Sequence, residues 1–280
     1  MPGAISGARR AFERAAATYD SADALHREVG RRLVEHLDPI RVDPRRVLDL
    51  GCGTGSQLDA LARRFPRSQI VGIDFSRAML ERALARAPWW RRAFGRRAPR
   101  FACADLARLP LGNATAGLAF SNLALQWCDA PAVFAEASRV LVKEGLLLFS
   151  TLGPDTLREL RSAFGVAAFP GLADMHDLGD ALVAAGFGQP VMEMELLTLE
   201  YSTLEALLAD LHAVGALAAA KPGLGGRDRR KAAAYAYEAR RRSGALPATY
   251  EVVYGHAWKT GARHAADGRQ VIDFVRAPRP

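Results

Sequence analysis

The middle of the chain alternates between short apolar runs and segments whose apolar residues recur at helical spacing. The apolar runs lie at residues 47–50, 70–73, 101–105, 118–122 and 146–151. The segments between them repeat apolar residues every three or four positions, as in Leu58, Leu61, Ala62 and Phe65. Such a period is typical of amphipathic helices, whereas short continuous apolar runs are typical of buried strands. The alternation predicts an α/β fold with a parallel sheet flanked by helices.

The two ends of the chain follow different patterns. Apolar residues at helical spacing from Phe12 to Leu33 predict one or two amphipathic helices before the first strand. Residues 192–196 and 250–254 alternate with period two, which predicts an antiparallel pair of strands at one edge of the sheet. Between these two strands lies an insertion of about 45 residues, at 202–246, and because that is too long for a hairpin loop we expect a helical cap there.

The first predicted strand ends in an acid and breaks into three alternating glycines. From Asp49 to Gly55 the sequence reads Asp-Leu-Gly-Cys-Gly-Thr-Gly. A second acid, Asp74, follows the next apolar run, where nucleotide-binding folds place the carboxylate that accepts hydrogen bonds from ribose hydroxyls. A dinucleotide fingerprint requires a glycine three residues after Gly53, and this chain has Ser56 there. The pattern instead resembles motif I of the class I S-adenosylmethionine-dependent methyltransferases.

That resemblance implies a Rossmann-like class I methyltransferase fold. The implied sheet has seven strands, mostly parallel, with an antiparallel edge strand, and it binds S-adenosylmethionine at the carboxyl ends of its strands. The glycine loop would admit the methionyl group, with Asp49 on its amino group, Asp74 on the ribose hydroxyls and Asp105 on the adenine amine. The other predicted cofactor contacts are Gly51, Cys52, Gly53, Gly55, Phe75, Met79, Leu106 and Asn122. No metal is expected.

These patterns divide the chain into four parts. We expect residues 1–44 to form a helical segment that closes over the cofactor, and residues 45–201 to form the binding core. Residues 202–246 would form the helical cap and substrate region, and residues 247–280 the last strand and a tail.

Composition favours a cytoplasmic protein. Half of the 280 residues are apolar and 24% are charged, which is ordinary for a globular protein. The three cysteines have no metal-like spacing and fit a reducing compartment. The N-terminus lacks a signal-peptide pattern, and no run reaches the roughly 18 apolar residues of a membrane span, so we expect no membrane association.

The net charge of +8 is consistent with binding to nucleic acid. The densest basic cluster, at residues 89–97, interleaves aromatic residues with arginines, a pattern that binds single-stranded nucleic acid or acidic proteins. Heavy use of arginine and alanine is explained at least as well by codon bias. A non-catalytic nucleic-acid-binding module is therefore one alternative, but the complete set of cofactor residues argues against it.

Segments outside the cofactor site narrow the resemblance. Residues 12–20, 25–30, 122–128 and 149–161, and more weakly 246–250, resemble the malonyl-[acyl-carrier protein] O-methyltransferases of biotin synthesis. This implies methyl transfer from S-adenosylmethionine to the free carboxylate of a malonyl thioester. One departure lies before the fifth strand, where only Gly145 remains of the Pro-Gly-Gly turn that is usual in the family.

The implied acceptor calls for orienting residues rather than a general base, because a carboxylic acid with a pKa of about 4 is already ionised at pH 7. We expect Tyr19 to orient the substrate and Arg158 and Arg161 to bind its carboxylate. If the acceptor arrives on an acidic acyl carrier protein, positive charge on the enzyme would steer the encounter. The candidate docking residues are Arg91, Arg92, Arg96 and Arg97, or Arg227, Arg229, Arg230 and Lys231.

Two further alternatives stay open on the sequence. Residues 155–161, 176–187 and 247–254 also resemble a methyltransferase-fold assembly factor of respiratory complex I, which is associated with arginine hydroxylation. The other alternative is a methyltransferase that acts on a different small carboxylate.

Overall fold

The structure is a computed structural model that describes residues 2–86, 98–165, 172–216 and 227–260. The predicted basic cluster at 89–97, with Arg91, Arg92, Arg96 and Arg97, lies outside the described residues.

A seven-stranded sheet forms the centre of the fold, in the order β3-β2-β1-β4-β5-β7-β6. The strands are β1 (Arg46–Leu50), β2 (Gln69–Asp74), β3 (Arg100–Cys103), β4 (Ala116–Asn122), β5 (Leu141–Leu152), β6 (Phe187–Tyr201) and β7 (Leu246–Lys259). The pairs among β1 to β5 are parallel. The predicted seven-stranded, mostly parallel sheet is therefore confirmed.

The predicted antiparallel pair lies at one edge of this sheet. The strand that reverses direction is β7, which pairs antiparallel with both β5 and β6. The outermost strand, β6, therefore runs in the same direction as the parallel strands, and the reversal lies one place inside the edge.

Helices cover both faces of the sheet. They are α1 (Pro2–Ala15), α2 (Ala24–Glu35), α3 (Leu58–Arg64), α4 (Arg77–Arg86), α5 (Ala130–Val140), α6 (Arg158–Phe164), α7 (Met175–Ala184), α8 (Leu204–Ala213) and α9 (Arg227–Glu238). Residues of α2 and α3 pack in the core of one face, and residues of α5 and α7 in the core of the other. Helices α8 and α9 lie between β6 and β7 in the chain, where the cap was predicted. None of the described helices has the length and apolarity to cross a membrane.

Candidate active site

The glycine loop turns the chain between β1 and α3 in a conformation that favours glycine. Gly51, Gly53 and Gly55 have φ angles of 75°, 52° and 81°, a region where side chains with a Cβ are strained. A Cβ on Gly51 would overlap the Cβ of Ala124, and one on Gly55 would lie 2.9 Å from Leu58 Cδ1. A Cβ on Gly53 would meet no atom within 4 Å. Gly51 and Gly55 are therefore required by packing, whereas Gly53 borders open space in which a ligand fits.

Asp74, at the end of β2, holds this loop in place. Its carboxylate accepts hydrogen bonds from the backbone N–H of Gly53 at 2.9 Å and of Ser76 at 2.8 Å. The side chain is 6% exposed, and burial raises its pKa to about 6, although the two backbone hydrogen bonds oppose that rise. The acid predicted to contact ribose thus also fixes the loop beside it.

Asp49 lies beneath the loop with an unsatisfied oxygen. It is 2% exposed, and its Oδ2 has no hydrogen-bond partner. Burial, followed by the negative charge of Asp74, raises the pKa of Asp49 to about 7. Because an unpaired buried carboxylate oxygen is costly, this geometry favours a cationic hydrogen-bond donor as the ligand group at this position.

Two adjoining cavities open at the carboxyl ends of β1, β2 and β4. The larger one, the cofactor cleft, holds about 760 Å³ including the part open to solvent, which is within the usual range for small-molecule sites. Its walls include Gly51, Gly53, Asp74, Phe75, Met79, Asp105, Leu106 and Asn122, all of them predicted cofactor contacts. The smaller one, the loop cavity, is lined by Asp49, Cys52, Gly51, Gly53 and Asn122 among others. Of the predicted contacts only Gly55 lines neither cavity, because it packs against α3 and α4.

Two of the predicted contacts have structural roles that the sequence did not reveal. Asp105 follows β3 by two residues and accepts a hydrogen bond from the Ala107 N–H at 2.9 Å. The predicted strand at 101–105 ends earlier, at Cys103, and leaves this acid in an exposed turn. The Asn122 amide donates to the His26 carbonyl at 2.9 Å, and its oxygen accepts from Ser150 Oγ at 2.8 Å. Asn122 therefore ties α2 to the sheet in addition to lining the cleft.

The N-terminal segment packs directly against the cofactor cleft. The Phe12 ring meets Trp127 edge-on with centroids 5.2 Å apart, and Phe75 at 5.7 Å. The Glu13 carboxylate accepts hydrogen bonds from the first N–H groups of α4, those of Arg77 at 2.9 Å and Ala78 at 3.1 Å. Since those N–H groups have no partner within their own helix, Glu13 acts as a cap that fixes α1 on α4.

Tyr19 borders both cavities, and its ring lies 5.4 Å from that of His26. Burial, reinforced by nearby acids with Asp74 first, raises the pKa of Tyr19 well above its ordinary value, so the hydroxyl stays protonated. His26, which no sequence motif marks as a site residue, leaves its Nδ1 buried without a partner. The only sequence signal for His26 is that it lies in residues 25–30, one of the segments that resemble the methyltransferase family.

Arg158 and Arg161 lie away from this site. They line a third, wider groove together with Arg240, Arg241 and Arg242, and they border neither the cofactor cleft nor the loop cavity. Arg161 donates to the Pro154 carbonyl at 2.6 Å, and Arg158 Nε lies 3.7 Å from Glu159. The structure therefore brings Tyr19 to the predicted cofactor residues, but not these two arginines.

Comparison with known proteins agrees with this architecture. Residues 48–149 match the family described as methyltransferase domain. Among solved structures, the YcgJ protein from Bacillus subtilis superposes with a TM-score of 0.60 at 16% identity, covering 83% of this chain and 98% of that one. A geranyl diphosphate C-methyltransferase from Streptomyces coelicolor A3(2), solved with S-adenosyl-L-homocysteine, gives a TM-score of 0.51 at 18% identity, covering 82% and 78%. At such identities these structures show the fold alone.

Curated relatives are much more similar. A malonyl-[acyl-carrier protein] O-methyltransferase of Gallionella capsiferriformans (strain ES-2) is 49% identical over 274 residues, which cover 94% of each chain. The protein of the same name in Methylovorus sp. (strain MP688) is 47% identical over 278 residues, covering 95% of this chain and 93% of that one. The chain belongs to the malonyl-[acyl-carrier protein] O-methyltransferase family.

Membership of the malonyl-[acyl-carrier protein] O-methyltransferase family confirms the resemblance drawn from the sequence and makes the protein an O-methyltransferase. Both of these relatives are named as methyltransferases, and neither favours arginine hydroxylation. In this O-methyltransferase, the methyltransferase domain spans the glycine loop, the acids Asp49, Asp74 and Asp105, and strands β2 to β4.

Proposed function

We propose that the protein transfers a methyl group from S-adenosylmethionine to the free carboxylate of a malonyl thioester carried by an acyl carrier protein. The observation that carries this proposal is the 49% identity, over 94% of each chain, to a relative named for that activity. The product would be the malonyl methyl ester, whose masked charge suits it to prime biotin synthesis. The three free cysteines, Cys52, Cys103 and Cys128, agree with a cytoplasmic location.

The residues of the two cavities fit S-adenosylmethionine. The unpartnered Asp49 Oδ2 suits the methionyl ammonium, and the open space beside Gly53 suits the adjoining backbone atoms of that group. The Asp74 carboxylate lies on the wall of the cofactor cleft, where it would accept hydrogen bonds from ribose hydroxyls. The apolar side chains of Phe75, Met79 and Leu106 would pack against adenine. Asp105 lines the same cleft, where it would accept a hydrogen bond from the adenine amine. The bound cofactor would supply an electrophilic methyl group.

The chain's own residues would act by orientation and by exclusion of water. Phe12 and Trp127 pack across the cleft and would shield the reacting atoms from solvent. In this transfer the methyl–sulfur bond breaks as an oxygen–methyl bond forms, so a positive and a negative charge disappear together. A cleft with largely apolar walls favours that loss of charge. The protonated Tyr19 hydroxyl would donate a hydrogen bond that aligns the acceptor carboxylate.

The basic groove supports a role for an acidic carrier protein. Arg158, Arg161, Arg240, Arg241 and Arg242 line it, and among the described residues its acidic lining consists of Glu159 and Glu200. The Glu159 carboxylate is turned inward, since it accepts hydrogen bonds from the N–H and hydroxyl of Thr249. We therefore assign Arg158 and Arg161 to carrier docking rather than to the carboxylate. Of the other candidates, Lys231 is exposed on α9, while the side chains of Arg227, Arg229 and Arg230 lie outside the described residues.

Incubation of the purified protein with methyl-labelled S-adenosylmethionine tests the proposal, with malonyl-acyl carrier protein and malonyl-coenzyme A as parallel acceptors. We expect label on the malonyl group, with a preference for the carrier protein. Asp49→Ala should abolish transfer, whereas Asp180→Ala, on an exposed face of α7, should not. Absence of label from both thioesters under conditions where the cofactor binds would contradict the proposal.

A further inference from the structure

A separate cavity lies on the side of Leu123 and Trp127 away from the glycine loop, and we propose that it holds the thioester and adjoining pantetheine arm of the acceptor. We refer to it as the acceptor cavity. Its described walls include His26, Trp127, Leu152, Tyr201, Leu211 and Tyr250. This inference rests on the proposed function, because it names the place where that acceptor binds.

The acceptor cavity adjoins the cofactor site. Leu123 and Trp127 line both it and the cofactor cleft, and His26 lines both it and the loop cavity. Its remaining walls come from the next strands along the sheet, with Leu152 at the end of β5 and Tyr201 at the end of β6. A ligand in this cavity would therefore extend along the carboxyl edge of the sheet, away from the glycine loop.

The far wall of the cavity places three polar side chains, those of Tyr201, Asp210 and Tyr250, among apolar residues. Tyr250 is 3% exposed and Tyr201 is half-buried. Burial raises the pKa of both tyrosines, so both hydroxyls stay protonated. A thioester carbonyl and a pantetheine amide are neutral groups that exchange hydrogen bonds with such hydroxyl and carboxylate groups.

The polar groups at the two ends of the cavity favour one direction of the acceptor. Asp210 is the acidic residue among the described walls, and it repels a carboxylate from the α8 end. At the opposite end acids also lie near Tyr19, with Asp74 first among them, but the protonated Tyr19 hydroxyl and the unpartnered His26 Nδ1 can hydrogen-bond to a carboxylate there, since the two rings are 5.4 Å apart. The carboxylate would thus face the cofactor cleft and the thioester would face Tyr201, which is the orientation that methyl transfer requires.

Kinetics and cofactor binding together test the cavity. Tyr201→Phe and Tyr250→Phe each remove one hydroxyl, and we expect KM for malonyl-acyl carrier protein to rise about five- to tenfold. Leu211→Trp fills the cavity from α8 and should raise that KM further. S-adenosylhomocysteine should bind all three variants within about twofold of the unaltered protein, because these residues do not line the cofactor cleft or the loop cavity.

The matched control is Leu208→Trp, which adds the same ring to α8 at a half-buried position that does not line the cavity. It should leave KM unchanged. At the other end of the cavity, His26→Leu should raise KM for malonyl-acyl carrier protein. His26→Gln keeps a hydrogen-bonding group and should raise this KM less. Thermal unfolding of each variant identifies any loss of the fold.

Two results distinguish failure of the cavity assignment from failure of the proposed function. If the unaltered protein methylates malonyl-acyl carrier protein but Leu211→Trp and both tyrosine variants keep its KM, the cavity assignment is overturned and the function stands. If the unaltered protein methylates no malonyl thioester and malonyl-pantetheine does not bind the S-adenosylhomocysteine complex, both are overturned.

Discussion

The Asp74 carboxylate accepts a hydrogen bond from the Gly53 N–H at 2.9 Å, so the acid that ends β2 holds the loop that follows β1. The same carboxylate lines the cofactor cleft. A ligand that hydrogen-bonds to Asp74 is therefore held in a fixed position relative to the loop. Within the loop, Gly51 and Gly53 should differ in what they contribute, Gly51 to packing and Gly53 to ligand binding.

Alanine substitutions separate those contributions. Gly51→Ala would overlap the Ala124 Cβ at a φ of 75°, and should lower the free energy of unfolding by about 2–4 kcal/mol. Gly53→Ala meets no atom and should cost only about 1 kcal/mol, for its φ of 52°. It should nevertheless weaken cofactor binding, because the methyl group enters the ligand's space. Urea unfolding measures the change in the free energy of unfolding, and calorimetric titration with S-adenosylhomocysteine measures the change in affinity. Equal affinity in Gly53→Ala and the unaltered protein would show that the loop does not border the ligand.

Cofactor binding should depend on pH through Asp49. Its pKa in the free protein is raised to about 7, so between the ordinary value and pH 7 the folded chain keeps a proton that the unfolded chain has released. The stability of the free protein should therefore fall as pH rises from about 4 to 7 and level off above 7. Binding of an ammonium group favours the ionised carboxylate, so affinity for S-adenosylhomocysteine should rise up to about tenfold per pH unit over the same window.

Asp49→Asn provides the comparison for that pH dependence. The variant should bind more weakly at pH 8 and lose most of the dependence around pH 7, although Asp74, with a pKa of about 6, still titrates at lower pH. Calorimetry in buffers of different ionisation enthalpy measures the released proton directly. A variant that releases as many protons as the unaltered protein would rule out Asp49 as the group that meets the ammonium.

Tyr19→Phe removes the hydroxyl that we assign to acceptor alignment. Turnover should fall about ten- to a hundredfold while cofactor affinity stays the same, because the hydrogen bond matters only where the methyl group is transferred. Since the pKa of Tyr19 is raised, turnover of the unaltered protein should show no loss from tyrosine ionisation up to about pH 9. Tyr235→Phe, at a position 81% exposed, is the control. Unchanged turnover in Tyr19→Phe would remove the residue from the site.

Carrier docking should depend on the basic groove. Arg158→Glu combined with Arg242→Glu reverses two exposed charges there, and KM for malonyl-acyl carrier protein should rise about tenfold, with less effect at high salt. KM for malonyl-coenzyme A should change much less. Arg45→Glu with Arg63→Glu reverses two exposed charges outside the groove, one of them just before β1, and should leave both values unchanged. A rise that is equal for the two thioesters would contradict docking at this groove.

The cofactor contacts expected from the sequence lie close together in the structure because local patterns determine their positions. Strand-ending acids, alternating glycines and a parallel sheet together fix which side chains meet at one edge, so all but one of the predicted contacts line a cavity. Gly55 is the exception. A glycine with a positive φ is required both where a ligand approaches the backbone and where a neighbouring helix packs closely, and the spacing of the glycines in the sequence does not distinguish these two cases.

The acceptor side was less predictable because long-range packing builds it. Tyr201, Asp210 and Tyr250 come from β6, α8 and β7, and they reach one wall through the pairing of β6 with β7 and the packing of α8 in the same core. Arg158 and Arg161 come soon after β5 in the chain, where a substrate-binding residue is expected. In the structure they lie on α6 and line the basic groove together with residues that follow α9. The order of the last two strands was also not predictable. Period-two alternation indicates a strand but not its neighbours, so it does not show that β7 lies between β5 and β6.

The most direct test of the proposed function is the mass of the malonyl-acyl carrier protein after incubation with S-adenosylmethionine and this protein. We predict a gain equal to one methylene group, located on the malonyl moiety by fragmentation and removed by esterase treatment. An unchanged carrier protein, or a gain of one oxygen on an arginine of an added protein, would contradict the proposed function.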